Sequence, residues 1–448
     1  MKTFPSVALV NACLPRQPKE ARGAPQGVLY VATALASEGI PASLHDTAID
    51  LNSGDFTPEA LGEYLCVIPA DIIGISVWDS VLPKVAIATR ILKERYPDRM
   101  VVLGGPAASC LSGALVRQFP WVDCAVQGDG ETNFLNLLKW IDAPGKNPAE
   151  LSNRVTIRHG DAVVSGRSKV APVNVGDILI PDYRLIKQSP YTRLEIVSTR
   201  GCPFDCPFCS VNRTGGHTLK KRSLDDLFVE ISYLLQRGCS DCVHILDDNF
   251  GTDRRRLDAF CKRFPAEHPN AYWSCYFRMA DLDGGTVNQL ADASCLGVYV
   301  GVESGSDKLL GALRKGVSVQ AVLDRIGYAS QRLNVTASFI WGFPGEDVSS
   351  IRDTLDLIAR ILAFDNVYVN LYQLSPLSGT AVYEQIAPSM EFHPEAVSGF
   401  IYPPFMAELT HDEKALISEH PSIFSAFYHE GGDDFWQKRK MIKDFIGS

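Results

Sequence analysis

Apolar residues come in short runs separated by longer amphipathic stretches. Val7-Ala-Leu-Val10, Ala42-Ser-Leu44, Ile72-Ile-Gly-Ile-Ser76, Met100-Val-Val-Leu103 and Cys124-Ala-Val126 read as strands, and residues 27–37, 80–96, 111–119 and a stretch from Glu131 read as helices. This alternation predicts a doubly wound α/β domain over residues 1–142, its parallel sheet covered on both faces. Gly104, Gly105, Gly128 and Gly130 stand just past strand ends, where such sheets bind ligands in the crevice at which strand order reverses. Residues 143–190 are rich in Pro, Gly and polar side chains and read as a linker with at most a small hairpin from 153–158 and 162–165. From Leu194 the alternation resumes, with strands predicted at 194–198, 243–246, 272–277, 297–302, 337–341 and 367–371. Helices are predicted at 223–236, 254–264, 285–293, 319–333 and 348–363, the first capped by Ser223 with Asp226 three residues on. Six β/α repeats thus occupy residues 191–385, and 386–448 form an irregular, mostly helical C-terminal extension. Its aromatics Phe400, Tyr402, Phe405, Phe424 and Phe427 either pack against an outer helix or cover the mouth of the second domain.

Composition narrows the class. A chain of 448 residues with 46% hydrophobic content supports two or three globular domains. A net charge of −9 with dispersed Lys and Arg argues against a nucleic-acid-binding face. No apolar run reaches the length that spans a bilayer, and the first apolar stretch, broken at Asn11, reads as a buried strand and not a signal peptide. Twelve scattered cysteines do not form a secreted disulfide framework and place the chain in a reducing cytoplasm.

Three of those cysteines stand in the run Thr199-Arg-Gly-Cys202-Pro-Phe-Asp-Cys206-Pro-Phe208-Cys209. A cubane cluster closed by four thiolates carries electrons; three leave one iron open for a ligand from outside the protein. Gly201 and the two prolines suit a tight loop. A structural zinc site or unrelated core thiols are the alternatives, and neither His217 nor His244 falls at a recognisable fourth zinc position.

The C-x3-C-x2-C loop, with Phe208 before its last cysteine, resembles the signature of the radical S-adenosylmethionine (SAM) superfamily. The resemblance implies a partial (β/α)6 barrel holding a [4Fe-4S] cluster on Cys202, Cys206 and Cys209. The open iron would chelate SAM, and one electron would cleave it to methionine and a 5'-deoxyadenosyl radical. It also implies SAM contacts at the strand ends: Asp247-Asp248-Asn249 for the amino group and Arg278 for the carboxylate. Glu303-Ser304 would serve the ribose, and Trp341-Gly342-Phe343-Pro-Gly-Glu346 the adenine. Tyr276, Tyr299, Tyr372 and Gln373 are candidate substrate walls. Cys239 and Cys242 form a second C-x2-C, read as loop and core thiols, and His244 as a satisfied barrel histidine.

The first domain resembles the cobalamin-binding domain of one radical SAM branch, through Ile75-Ser-Val-Trp78, Gly104-Gly-Pro106 and Gly128-Asp-Gly-Glu131. Cobalamin occupancy stays open: no histidine follows the first strand to ligate cobalt, and Trp78 replaces a smaller apolar residue where its indole would fill space meant for the nucleotide tail. Three functions follow. The first, favoured on Trp78 and the short tail, is radical dehydration of a diol, as in the aminoglycoside-deoxygenating dehydratases, with Glu303 or another mouth carboxylate as base and Asp247, Asp248 and Glu303 suiting a cationic amino sugar. The second is cobalamin-dependent C-methylation; the third is an electron-transfer iron–sulfur module. The implied partners are a small-molecule substrate, a reductant such as flavodoxin or ferredoxin, and a separate reductase acting on the product, with no nucleic acid and no membrane.

Overall fold

The computed structural model describes residues 5–14, 22–51, 56–169, 178–187, 190–214, 216–399, 401 and 408–447. The sequence expectations for Phe400, Tyr402 and Phe405 lie outside these described residues. The chain divides into two compact units, one of Met1–Thr192, Arg213–Gly215 and Ile401–Ala426, the other of Arg193–Asn212, Gly216–Phe400 and Phe427–Ser448.

In the first unit, five parallel strands, β1 (Val7–Ala12), β2 (Ala42–Asp46), β3 (Ile72–Val77), β4 (Met100–Gly104) and β5 (Cys124–Val126), lie in the order β2-β1-β3-β4-β5. Ile72, Ile73, Ile75 and Val77 of β3 are all buried, as a central strand with helices on both faces requires. Strand order reverses between β1 and β3, so the crevice of a doubly wound sheet opens beyond their carboxyl ends. The sheet then continues through an antiparallel hairpin, β6 (Val155–His159) and β7 (Ala162–Ser165), in which Thr156 lies opposite Ala125 of β5. The hairpin anticipated inside a linker is therefore part of the sheet. A helix at Pro58–Val67 had no counterpart in the sequence reading, although Thr57 caps it, its Oγ1 accepting from the Ala60 N–H at 3.1 Å, and Pro58 opens it.

Part of the C-terminal extension completes this unit. The helix His411–Glu419 starts with a capping box between Thr410 and Glu413. Glu413 also pairs with Lys84 at 2.9 Å, the side chains 1% and 2% exposed. Phe424 lies 6.1 Å from Phe119, ring centre to ring centre, inside this core, so of the two expectations for it the packing one fits.

In the second unit, β8 (Leu194–Ile196) is followed by a short antiparallel ribbon, β9 (Thr199–Arg200) with β10 (Lys220–Lys221). Five longer strands come next: β11 (Cys242–Ile245), β12 (Tyr272–Arg278), β13 (Cys295–Glu303), β14 (Asn334–Trp341) and β15 (Val367–Gln373). These five and β8 form one parallel sheet in chain order, and β8 does not pair with β15. A parallel sheet in chain order with open edges is a partial barrel, the (β/α)6 architecture the sequence pattern predicts. Ser223 caps the helix Leu224–Gln236 by accepting from the Asp226 N–H, as expected. Side-chain alternation along β12 is clear. Trp273 meets Phe260 and Phe264 of the helix Arg254–Glu267, with centroids 5.0 and 6.2 Å apart. Tyr276 and Arg278 therefore face the opposite, concave side.

The buried Lys84–Glu413 pair yields a stability prediction. Removing one member of such a pair strands the other charge, so Lys84→Met is expected to lose about 3–5 kcal/mol. The loss is read as a lowered urea midpoint with unchanged slope.

Candidate active site at the carboxyl ends of the barrel strands

The cluster loop leaves β9 at Arg200, and the two residues just upstream, Ser198 and Thr199, are fixed by one carboxylate. Asp247, directly after β11, accepts four hydrogen bonds: from the Ser198 and Thr199 backbone N–H groups at 2.6 and 2.9 Å, and from their hydroxyls at 2.6 and 2.7 Å. Asp247 is 1% exposed; burial pushes its pKa up, and these donors pull it back. All four of these bonds come from the foundation of the loop. Gly201 then bends the chain at φ 89°, a conformation glycine adopts without strain.

Cys202, Cys206 and Cys209 are free thiols at intermediate depth. Burial pushes the Cys202 thiol up and Cys209 to about 11, so bound iron must supply the charge that ionises them. Among the described residues no three His, Cys, Asp or Glu side chains converge on a single ion; a cubane instead distributes its thiolates over different irons. The loop is braced on the barrel: Phe208 meets Phe343 edge to face at 5.4 Å, and the Val382 N–H donates to the Pro207 carbonyl at 3.0 Å.

Two polar groups stand beside the cysteines. Asp248 is pushed up to about 6 by burial and then by Asp247, while the Gly201 backbone N–H opposes the shift; it also raises the pKa values of Cys202 and Cys209. Arg278 stacks its guanidinium 4.1 Å above the Phe204 ring and donates to the Lys315 carbonyl at 2.9 Å. Between them Asn249 is buried, its Oδ1 accepting weakly from the Gly251 and Arg278 N–H groups at 3.3 Å each, while its Nδ2 has no partner among the described residues. A buried amide donor with nothing to donate to marks a place for a polar ligand.

The remaining strand ends differ from expectation in detail. Glu303 sits left-handed at φ 77° beside a β-bulge after Gly301, a strained geometry typical of functional sites. Its carboxylate pairs with Lys315 at 2.9 Å, the side chains 7% and 8% exposed, so it is engaged within the protein. Lys315 was not singled out in the sequence, because only the fold brings it onto β13. Ser304 is fully buried and turned toward Thr354 at 3.3 Å, again a structural placement. At β14, Trp341 stacks on Phe435 with ring centres 5.4 Å apart. Gly342 adopts φ 91°, its N–H donating to the Glu346 carboxylate. The other Glu346 oxygen is buried without a partner among the described residues, and burial pushes this carboxyl up to about 7.

The concave face is polar and aromatic. Tyr276 and Tyr299 stand opposite each other on β12 and β13 with ring centres 5.1 Å apart, and Tyr372 hydrogen-bonds Tyr299. His244 bonds Ser274 at 2.6 Å, and burial lowers its pKa to about 4, the satisfied barrel histidine expected. Gln373 is tied to the extension, donating to the Ala396 carbonyl at 2.8 Å.

In the first unit, two glycines mark the end of β4, next to the strand at the switch point. Among the described residues a Cβ on Gly104 would meet nothing within 4 Å, whereas one on Gly105 (φ 85°) would strike Ser76 Oγ at 2.7 Å and the Val77 N at 2.8 Å. Only glycine lets the chain turn this closely over β3. Trp78, one residue past β3, is 53% exposed.

These features agree with the comparisons. Profiles for the Radical SAM superfamily and the B12 binding domain match residues 196–358 and 20–138. An uncharacterized methyltransferase, PH0819, of Pyrococcus horikoshii is 26% identical over 81% of this chain and 78% of its own length. An anaerobic magnesium-protoporphyrin IX monomethyl ester cyclase of Rubrivivax gelatinosus is 24% identical over 74% of this chain, which spans 61% of the cyclase. Among solved structures, the radical SAM methyltransferase TsrM from Kitasatospora setae, with cobalamin and [4Fe-4S] cluster bound, superposes with a TM-score of 0.69 at 19% identity, over 87% of this chain and 80% of TsrM. The cobalamin-dependent radical SAM enzyme OxsB gives 0.70 at 16% identity, over 98% of this chain and 66% of OxsB. The chain thus carries a region matching the Radical SAM superfamily behind a region matching the B12 binding domain, and the cofactors that the first of these implies are a [4Fe-4S] cluster and SAM. No helix among the described residues is long and apolar enough to cross a membrane.

Two predictions test this geometry. Asp247→Ala strands four buried donors, so it is expected to lose cluster iron after anaerobic reconstitution, whereas Asp248→Asn retains iron and binds SAM at least tenfold more weakly, measured by iron content and equilibrium dialysis. Glu346 has a folded pKa near 7 against an ordinary value of 4.5. The native state therefore holds its proton more tightly, and stability falls as pH rises from about 4.5 to 7, by roughly 3 kcal/mol or less. Glu346→Gln should flatten that part of the urea-midpoint-versus-pH curve.

Proposed function

We propose that the protein is a cobalamin-dependent radical SAM methyltransferase that alkylates carbon in a small polar molecule. The observation that carries this reading is the carboxyl edge of the first unit's sheet, where a Cβ on Gly104 would meet nothing within 4 Å among the described residues and the Trp78 indole stands exposed. An exposed flat apolar side chain at that edge is suited to lie against a corrin ring. The methyltransferase name of the Pyrococcus relative, matched over most of both chains, supports the same reading.

When bound, the cluster would supply the electron that splits SAM, and cobalamin would supply the methyl group. The protein's own residues would bind and orient. Asp248 and the unpartnered Asn249 amide would receive the amino and carboxylate groups of SAM, with Arg278 held rigid over Phe204 beside them. The backbone at Gly342, fixed by Glu346, would present its edge to the adenine. The tyrosines of the concave face would seat a hydrogen-bonding substrate and keep bulk water from the reacting carbon.

Diol dehydration shares the radical-generating half but needs a free base near the substrate. Glu303, one candidate for it, is paired with Lys315. The reading is tested by incubating purified protein with hydroxocobalamin, desalting it and recording the visible spectrum. About one retained corrinoid per chain, with both S-adenosylhomocysteine and 5'-deoxyadenosine formed on turnover, is expected. 5'-Deoxyadenosine without retained corrinoid would return the assignment to radical elimination. Replacing Cys202, Cys206 and Cys209 by alanine should abolish 5'-deoxyadenosine altogether.

A further inference from the structure

His429 stands opposite Glu391 in a short antiparallel ribbon of the second unit, and His393 follows two residues after Glu391. The two rings meet nitrogen to nitrogen, with His393 Nδ1 3.0 Å from His429 Nε2. His429 is 3% exposed, and its Nδ1 lies 2.9 Å from the Glu430 carbonyl oxygen. A carbonyl can only accept, so His429 Nδ1 carries the hydrogen and Nε2 of the neutral ring is the acceptor. His393 Nδ1 must therefore donate. The pair survives a proton on the far nitrogen of His393, which leaves that donor in place. It does not survive one on His429, which sets N–H against N–H.

The His429 ring lies flat on Phe435, with centres 3.6 Å and planes 3° apart, and Phe435 in turn stacks on Trp341 at 5.4 Å. Phe435 opens the buried stripe of the C-terminal helix Asp433–Gly447, which continues with Lys438 and Ile442 at the spacing of one helix face. Lys438 donates to the Glu346 carbonyl at 2.8 Å. One helix face thus grips both ends of the turn from Trp341 to Glu346, whose Gly342 N–H bonds the Glu346 carboxylate. An apolar pair behind Phe435 would pack equally well; two imidazoles make the grip depend on protons.

We propose that the His393–His429 pair positions the Trp341–Glu346 turn through Phe435, and that a proton on His429 releases it. The consequence for SAM rests on the reading of that turn as the adenine edge. Among the described residues, the groups that act on His429 are Glu391 and His393 from the ribbon, the Glu430 carbonyl beside it and Arg439 from the helix. Burial lowers the His429 pKa from the ordinary 6.5; His393 and Arg439 add to this, and the Glu430 carbonyl and Glu391 oppose it. A released ring regains the ordinary value, so release gains up to about tenfold per pH unit as pH falls below 6.5. Glu346, pushed up to about 7 by burial, works in the opposite direction, because the closed turn holds its proton more tightly.

The test reads amide-exchange protection of residues 342–346 in the full chain, corrected for the intrinsic rate at each pH. Because Glu346 opposes His429, wild type is compared with His429→Gln, whose side chain still accepts from His393 but takes no proton. The ratio of His429→Gln to wild-type protection is expected to rise about tenfold between pH 6.5 and about 5.5. His393→Gln, which keeps a donor toward His429, should follow wild type. Parallel profiles for wild type and His429→Gln would overturn the inference, as would a His429 ring found by nitrogen NMR to carry its hydrogen on Nε2 at neutral pH. Should His429→Gln not fold, Glu346→Gln decides in its place: its turn must lose protection as the His429 resonances report protonation, and protection that ignores that titration overturns the proposal. Equilibrium dialysis of SAM against the reconstituted chain at neutral pH separates the clamp from the reading of the turn. His429→Ala is expected to weaken SAM by about tenfold, and His429→Gln to restore most of that loss. Turn protection that follows the pair, with SAM affinity unchanged in His429→Ala, would keep the clamp and remove the adenine edge from this turn.

Discussion

The site depends on the four hydrogen bonds that Asp247 accepts from Ser198 and Thr199. They weld the corner between β8 and β9 to the end of β11, so the cysteine loop departs from a fixed point. A buried carboxylate is costly in a protein interior unless each lone pair finds a donor, and here backbone and hydroxyl donors arrive in pairs from adjacent residues. Phe208 against Phe343 holds the far side of the same loop. A loop held between a polar anchor and an aromatic brace would keep the three cysteines in fixed register.

The two units divide the chemistry by their architectures. A doubly wound sheet offers a crevice where strand order reverses, and glycines at the strand ends let a large planar group approach the backbone. A partial barrel offers a concave surface lined by alternate residues of six strands. The tyrosines of β12, β13 and β15 belong to that inward set, while Trp273 and Phe277, one residue out of phase, build the hydrophobic layer beneath the helices. One-residue alternation thus separates the part that recognises from the part that supports.

Much of this was legible in the sequence for a physical reason: strand and helix periodicity are local properties, and so is the cysteine spacing. Every barrel strand lies within a few residues of its expected position, and Ser223 caps as its type suggests. What escaped was pairwise and distant. Asp247 and Asp248 are neighbours of like type, yet one is sealed by four donors and the other faces the loop, which no local pattern distinguishes. Glu303 reads as a strand-end acid until the fold brings Lys315 to it. Trp78 reads as a bulky filler, and only its surroundings reveal an exposed ring. The helix Pro58–Val67 is a different omission, since Thr57-Pro58 is a recognisable start that the weak apolar pattern around it obscured.

The antiparallel hairpin of β6 and β7 has a practical meaning for dissecting this enzyme. It covers the side of β5 that would otherwise present a bare row of amide and carbonyl groups. A fragment ended at residue 142, where the parallel pattern stops, would uncover that row and invite other molecules to add strands to it. Anyone seeking the corrin-binding half as a separate soluble piece would have to carry the chain past Ser165, and supply in trans the segment that brings Glu413 to Lys84.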